Sequence, residues 1–251
     1  MPFSIDLTEQ EKAYPVNSYE ALGTIMRSVL NREISMFALP PLKERTLPVR
    51  EANARTKKLR PVIRTHGGNL LATEVEFFWT VGLTADLMIE FLDLVSIGSK
   101  TSGVVGAPEA FRGFAYYAAV QAVFVHNHPS GALTPSKSDE KLTKKLIKAG
   151  RLLDVRVNDH IILDKNDGIF SMLSHGNFDE LRKEAALEEL EVADLSKLLR
   201  IKEAMIEEKE RQLKENEQRI KTMARELKAS GYPPAKIGEL TGLSAAEIKK
   251  L

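Results

Sequence analysis

The stretch His126-Asn127-His128-Pro129-Ser130-Gly131 constrains this chain more than any other. It follows Ala122-Val123-Phe124-Val125, an apolar, β-branched and aromatic run that reads as a buried strand. Side chains two apart on a strand point to one face, so His126 and His128 can share one ligand. Pro129, Gly131 and Pro135 then turn the chain. Ser136 opens a helix from Lys137 to Leu153 with apolar positions at Leu142, Leu146, Ile147 and Leu152. Asp139 falls in the first turn of that helix, where the macrodipole favours a carboxylate. Strand end, turn and helix start can bring two imidazoles and a carboxylate together, and three such ligands with an open fourth position make a catalytic zinc site. The plainer alternative is a polar turn whose histidines cap the strand. Other metal patterns fit less well. A helical His-Glu-x-x-His is absent, the zinc deaminases require cysteine ligands, and a His-x-His-x-Asp-His site needs Asp-His where Ser130-Gly131 stand.

Composition narrows the setting. A chain of 251 residues holds one large domain or two modest ones. Its 36 basic and 35 acidic side chains nearly cancel, so no global field favours nucleic acid or a membrane surface. The absence of cysteine removes disulfides, thiolate zinc sites and cysteine nucleophiles, and is compatible with a reducing cytosol. Met1 to Asp6 lacks the basic and apolar regions of a signal peptide. The longest apolar run, near Phe114 to Val125, is broken by Gln121 and too short to span a bilayer. The expectation is a soluble cytoplasmic protein with no membrane contact.

Along the chain, residues 1–16 read as irregular. Asn17 with Glu20 forms a variant capping box before a helix carrying Ala21, Leu22, Ile25, Met26, Val29 and Leu30. Residues 39–64 form a basic arm punctuated by Pro40, Pro41, Pro48 and Pro61, either a contact surface for nucleic acid or an acidic partner, or a solvated linker. Glu76 to Gly82 reads as a strand, with Thr84-Ala85-Asp86 turning it into a partner over Leu87 to Val95. Gly98-Ser99-Lys100-Thr101 lacks the glycine before lysine that a phosphate loop needs. Pro108 suits a helix start, with Phe111, Phe114, Ala115 and Ala118 on its apolar face. Val155 to Leu163 and Ile169 to Met172 are further strands. Past Asn177 the composition shifts to Glu, Lys, Leu and Ala. Leu199, Ile206, Leu213, Ile220 and Leu227 recur every seven residues, but Lys202, Lys209 and Asn216 interrupt the second seam that a coiled coil wants. This predicts a long, mostly solvated helix over 177–230, with a homodimer through its single seam as one partner option. Residues 231–251 read as a small helix-turn-helix tail with a capping box at Ser244 and Glu247. Residues 1–176 are expected to fold without this extension.

His126-x-His128-Pro129, six residues, then Ser136-x-x-Asp139 resembles the JAMM motif of the JAB/MPN metallopeptidases. The His-Asn-His-Pro-Ser-Gly segment with Thr134-Pro135-Ser136, and Asp159-His160-Ile161-Ile162 downstream, is similar to the bacterial RadC-type branch. The resemblance covers about residues 74–175. It implies an α/β fold with a mixed, curved sheet flanked by helices over 74–176. It further implies zinc held by His126, His128 and Asp139, hydrolysis of a peptide or isopeptide bond, Glu76 as general base with Glu74 as its rival, and Ser136 steadying the oxyanion. His160 has two readings, a histidine behind or beside the metal, or a core histidine bonded to backbone. The chain departs from the branch at Ala132-Leu133, at Glu109-Ala110 and in lacking a recognisable helix-hairpin-helix. Two other functions stand beside the hydrolase: a DNA repair or recombination protein of mobile elements, and a non-catalytic scaffold.

Overall fold

A computed structural model describes residues 3–13, 15–31, 35–38, 63–64, 75–98, 105–117, 119–166, 168–187 and 192–251. The basic arm over 39–64 therefore lies outside the described residues, apart from Ile63 and Arg64, as do Glu74 and the Ser99-Lys100-Thr101 segment. The described chain forms two compact units, Met1–Met205 and Ile206–Leu251.

The first unit is built on one mixed sheet. Its strands are β1 (Phe3–Ile5), β2 (Ser35–Ala38), β3 (Ile63–Arg64), β4 (Phe77–Leu83), β5 (Ile89–Ile97), β6 (Gln121–Asn127), β7 (Arg156–Leu163) and β8 (Ile169–Ser171). They lie in the order β3-β2-β1-β5-β4-β6-β7-β8. Every pairing is antiparallel except β6 with β7. A parallel pair needs a long crossover, and the helix Lys137–Leu153 supplies it. Every residue of β4 is buried, so both of its faces are covered. On one face Phe78 and Phe124 pack with Leu146, Ile147 and Leu153 of the crossover helix. On the other, Trp79, Val81, Val123 and Val125 pack with Leu22, Met26, Val29 and Leu30.

The helices are α1 (Glu9–Lys12), α2 (Tyr19–Asn31), α3 (Ala107–Ala110), α4 (Lys137–Leu153), α5 (Met172–His175), α6 (Phe178–Leu187), α7 (Val192–Ala229), α8 (Pro234–Thr241) and α9 (Ala245–Lys250). Gly150 lets α4 approach the start of β7, because a Cβ there would lie 2.7 Å from the Val155 carbonyl oxygen. Among the described residues no helix is long and apolar enough to cross a membrane.

Several local expectations change. The N-terminal stretch expected to be irregular contains β1 and α1, with Phe3 paired to Leu94 and to Ala38. A strand of three residues shows too little alternation to be read locally, and its partners are remote in sequence. The cap of α2 is Ser18, not Asn17, since the Ala21 amide donates to Ser18 Oγ at 3.2 Å. The helix expected from Pro108 is only α3, followed by a 3-10 turn over Arg112–Ala115. Gly113 explains the close fit there, because a Cβ on it would lie 2.4 Å from Asp93 Oδ2 and 2.5 Å from the Phe91 ring.

Packing continues past residue 177. The expected single helix is two, α6 and α7. Phe178, Leu181, Ala185, Leu198, Ile201 and Ala204 are buried in the same core as Phe124 and Leu146. The expectation that residues 1–176 suffice overlooks these six side chains. Further along α7 the seven-residue seam is open at Ile206, 51 % exposed, and Leu213, 60 % exposed, while Leu227 packs against a small core. In the second unit Ala224, Ile237 and Ile248 form a small core. The tail folds as the two short helices α8 and α9, with Gly242 at φ 73 between them and reciprocal Ser244–Glu247 caps.

Candidate metal centre

His126 lies near the end of β6 and His128 just beyond it. The two Nε2 atoms lie 2.8 Å apart. Asp139 Oδ1 is 3.6 Å from His126 Nε2, and Asp139 Oδ2 is 3.5 Å from His128 Nε2. One ligand atom from each residue falls within 4.8 Å of the others. The loop between them turns at Gly131, whose φ of 81° suits glycine. His128 Nδ1 lies 2.5 Å from the Ala132 carbonyl oxygen, which accepts from it. Asp139 is held by the start of α4. Ser136 Oγ accepts from the Asp139 amide at 3.2 Å, and the Ser136 amide donates to Asp139 Oδ2 at 2.6 Å. One carboxylate thus completes a capping box and faces both imidazoles.

Electrostatics suit a cation. Burial, then the neighbouring His160, push His126 well below the usual histidine range, which favours a neutral ring with a free lone pair. Burial also pushes His128 down, but its contact with Asp139 and the Ala132 carbonyl leave it raised. Burial would raise Asp139, yet the contact with His128, the charge on His126 and the Ser136 donors hold it far below the usual carboxylate range. Two imidazoles and an ionised carboxylate are the donor types that zinc takes in catalytic sites. The residues present therefore fit a zinc ion.

Glu76 precedes β4 and is half-buried, within electrostatic reach of Asp139 and His128. Burial first, and the Asp139 charge second, raise its carboxyl above the ordinary value. Its backbone is pinned on both sides by Asn127, which stands between the two histidines. Asn127 Oδ1 accepts from the Phe77 amide at 2.7 Å and Nδ2 donates to the Val75 carbonyl at 3.0 Å. The Gly98 amide donates to the Glu76 carbonyl at 2.7 Å. Sequence reasoning missed Asn127, and nothing local could signal its role. Ser136 caps α4 through its oxygen, which leaves its hydroxyl proton to be donated elsewhere.

His160 is fully buried in β7. Its ring bonds to side chains, not to backbone: Nε2 is 2.9 Å from His126 Nδ1, and Nδ1 is 2.7 Å from Thr143 Oγ1. It therefore stands directly behind a proposed ligand. Thr143 carried no signal in the sequence beyond its place on α4. Asp159, beside it, faces the opposite core and accepts from Ser171 Oγ and from the Leu173 and His160 amides.

The RadC-like JAB domain family matches residues 55–177. A UPF0758 protein of Caldanaerobacter subterraneus is 37% identical over 116 residues, covering 44% of this chain and 49% of that protein. A UPF0758 protein of Desulforudis audaxviator is 33% identical over 124 residues, covering 47% and 54%. A UPF0758 protein of Chlorobaculum tepidum is 30% identical over 144 residues, covering 57% and 64%. The chain thus spans between about half and two thirds of the length of these curated relatives.

Proposed function

Residues 55–177 belong to the RadC-like JAB family, and from that premise we propose that this chain is a zinc-dependent hydrolase of peptide or isopeptide bonds. The observation that carries the proposal is the convergence of His126, His128 and Asp139 within 4.8 Å, with the Glu76 carboxyl in their field. When bound, zinc supplies Lewis acidity toward a carbonyl oxygen and makes a water acidic near neutral pH. Glu76 takes the proton from the attacking water and returns it to the leaving amine. Its raised pKa brings it closer to the operating range of a general base. The Ser136 hydroxyl donates to the developing oxyanion while its oxygen caps α4. The "peptide" half of the proposal comes from the family; the side chains themselves support a hydrolytic metal site.

The test pairs metal content with turnover on peptide, isopeptide and nucleic-acid panels. Wild type should hold about one zinc per chain and cleave a peptide or isopeptide substrate. Glu76→Gln should keep its zinc and lose about 10²–10⁴-fold in rate. Turnover at the wild-type rate in Glu76→Gln would remove Glu76 from the mechanism. Activity confined to nucleic acid would overturn the peptide assignment and favour the DNA-processing alternative.

A further inference from the structure

Two buried side chains outside the ligand set connect two of the ligands. Thr143 Oγ1 lies 2.6 Å from the Asp139 carbonyl oxygen and 2.7 Å from His160 Nδ1. His160 Nε2 lies 2.9 Å from His126 Nδ1. Asp139 and Thr143 stand on α4, His160 on β7 and His126 on β6, so the chain of contacts ties three elements together behind the site.

The direction of each hydrogen bond follows from what the atoms can do. A carbonyl oxygen only accepts, so the single Thr143 hydroxyl proton goes to Asp139. Were it turned toward His160, two acceptor oxygens would face each other at 2.6 Å. Thr143 Oγ1 must then accept from His160 Nδ1, which carries a hydrogen. In a neutral imidazole the other nitrogen is an acceptor, so His160 Nε2 accepts and His126 Nδ1 donates. That leaves His126 Nε2 without a proton, on the side facing His128 and Asp139. His128 Nδ1 donates to the Ala132 carbonyl, and because the two Nε2 atoms lie 2.8 Å apart, the one proton between them in the zinc-free protein sits on His128 Nε2, the bare His126 Nε2 accepting it.

We propose that Thr143 and His160 are positioning residues for metal binding, which together place the His126 proton on Nδ1 and present a bare Nε2 to the ion. The proposal rests on the reading of His126, His128 and Asp139 as ligands. Metal-bound histidines that lose the partner of their second nitrogen typically lose about 10–100-fold in affinity. An aromatic replacement of His160 keeps apolar neighbours, because the ring already meets Phe78 edge-on at 5.5 Å and Phe124 at 6.4 Å.

The experiment measures zinc affinity by chelator competition for the full chain and four variants, with zinc-free melts to establish folding. His160→Phe should bind zinc about 10–100-fold more weakly, and Thr143→Val should weaken it in the same direction. His160→Gln retains an acceptor for His126 and a donor for Thr143 and should recover most of the affinity; Thr143→Ser should do the same. Nitrogen-15 NMR of zinc-free wild type should find the His126 proton on Nδ1, a signature independent of any variant's folding. A proton on His126 Nε2 would overturn the proposal, as would His160→Phe binding zinc as tightly as wild type. Wild type that takes up no zinc would remove the ligand reading and this proposal with it.

Discussion

Glu76 carries opposite demands at the scale of a single residue. Burial and the Asp139 charge raise its carboxyl in the folded state, with His128 opposing. A carboxyl raised on folding contributes stability below its unfolded pKa, and that contribution is lost as pH rises through the folded value. Zinc-free Glu76→Gln should therefore melt above wild type near neutral pH and converge with it in acid, where both side chains are neutral. Paired melts across that range check the sign, and a lower melt for Gln at neutral pH would contradict it. The substitution that removes the proposed base is thus expected to stabilise the fold. Asn127 behaves differently, since it is fully buried and spends both ends of its amide on the backbone around Glu76. Asn127→Ala leaves a buried amide and a carbonyl unpaired and should cost about 2–4 kcal/mol, read by denaturant unfolding.

At the scale of elements, the helices after residue 177 belong to the packed core. Phe178, Leu181, Leu198 and Ile201 are each 3 % exposed or less. Burying four such side chains is worth roughly 6–12 kcal/mol, comparable with the whole stability of a domain, about 5–15 kcal/mol. A chain ending at 176 should therefore lose its cooperative melt, whereas one ending at 205 should keep it. A sharp transition in the shorter chain would show that α6 and the start of α7 are dispensable. The first turn of α4 has a second dependency. Ser136→Ala removes the oxygen that accepts from the Asp139 amide, which should cost about 0.5–2 kcal/mol, with zinc retained.

For the whole molecule, a metal that binds only the folded state adds stability by mass action. At a free zinc concentration a hundred times the dissociation constant the gain is about 2.7 kcal/mol. For a domain of this size that raises Tm by about 5–10 °C. The shift should reverse on chelation and be absent in His126→Ala, His128→Ala and Asp139→Ala. A shift that persists in all three would place the zinc elsewhere. The second unit, whose small core is Ala224, Ile237 and Ile248, should not respond.

The cluster of His126, His128 and Asp139 was legible in the sequence because it is local. Two-residue alternation aims His126 and His128 together, and a helix cap holds Asp139; both are rules of neighbouring residues. The mixed α/β class came with the family resemblance that this same stretch carries. Glu76 came only through resemblance, since Asn127, which anchors its backbone, reaches Phe77 across 50 positions. The His160 relay spans 34 positions to His126 and 17 to Thr143. Those contacts exist because β6 and β7 run parallel with α4 crossing between them, and a parallel pairing joins segments that no local period can match. Tertiary packing likewise draws α6 and the start of α7 into the core, where the shift to Glu, Lys, Leu and Ala and a single interrupted seam read only as a solvated helix.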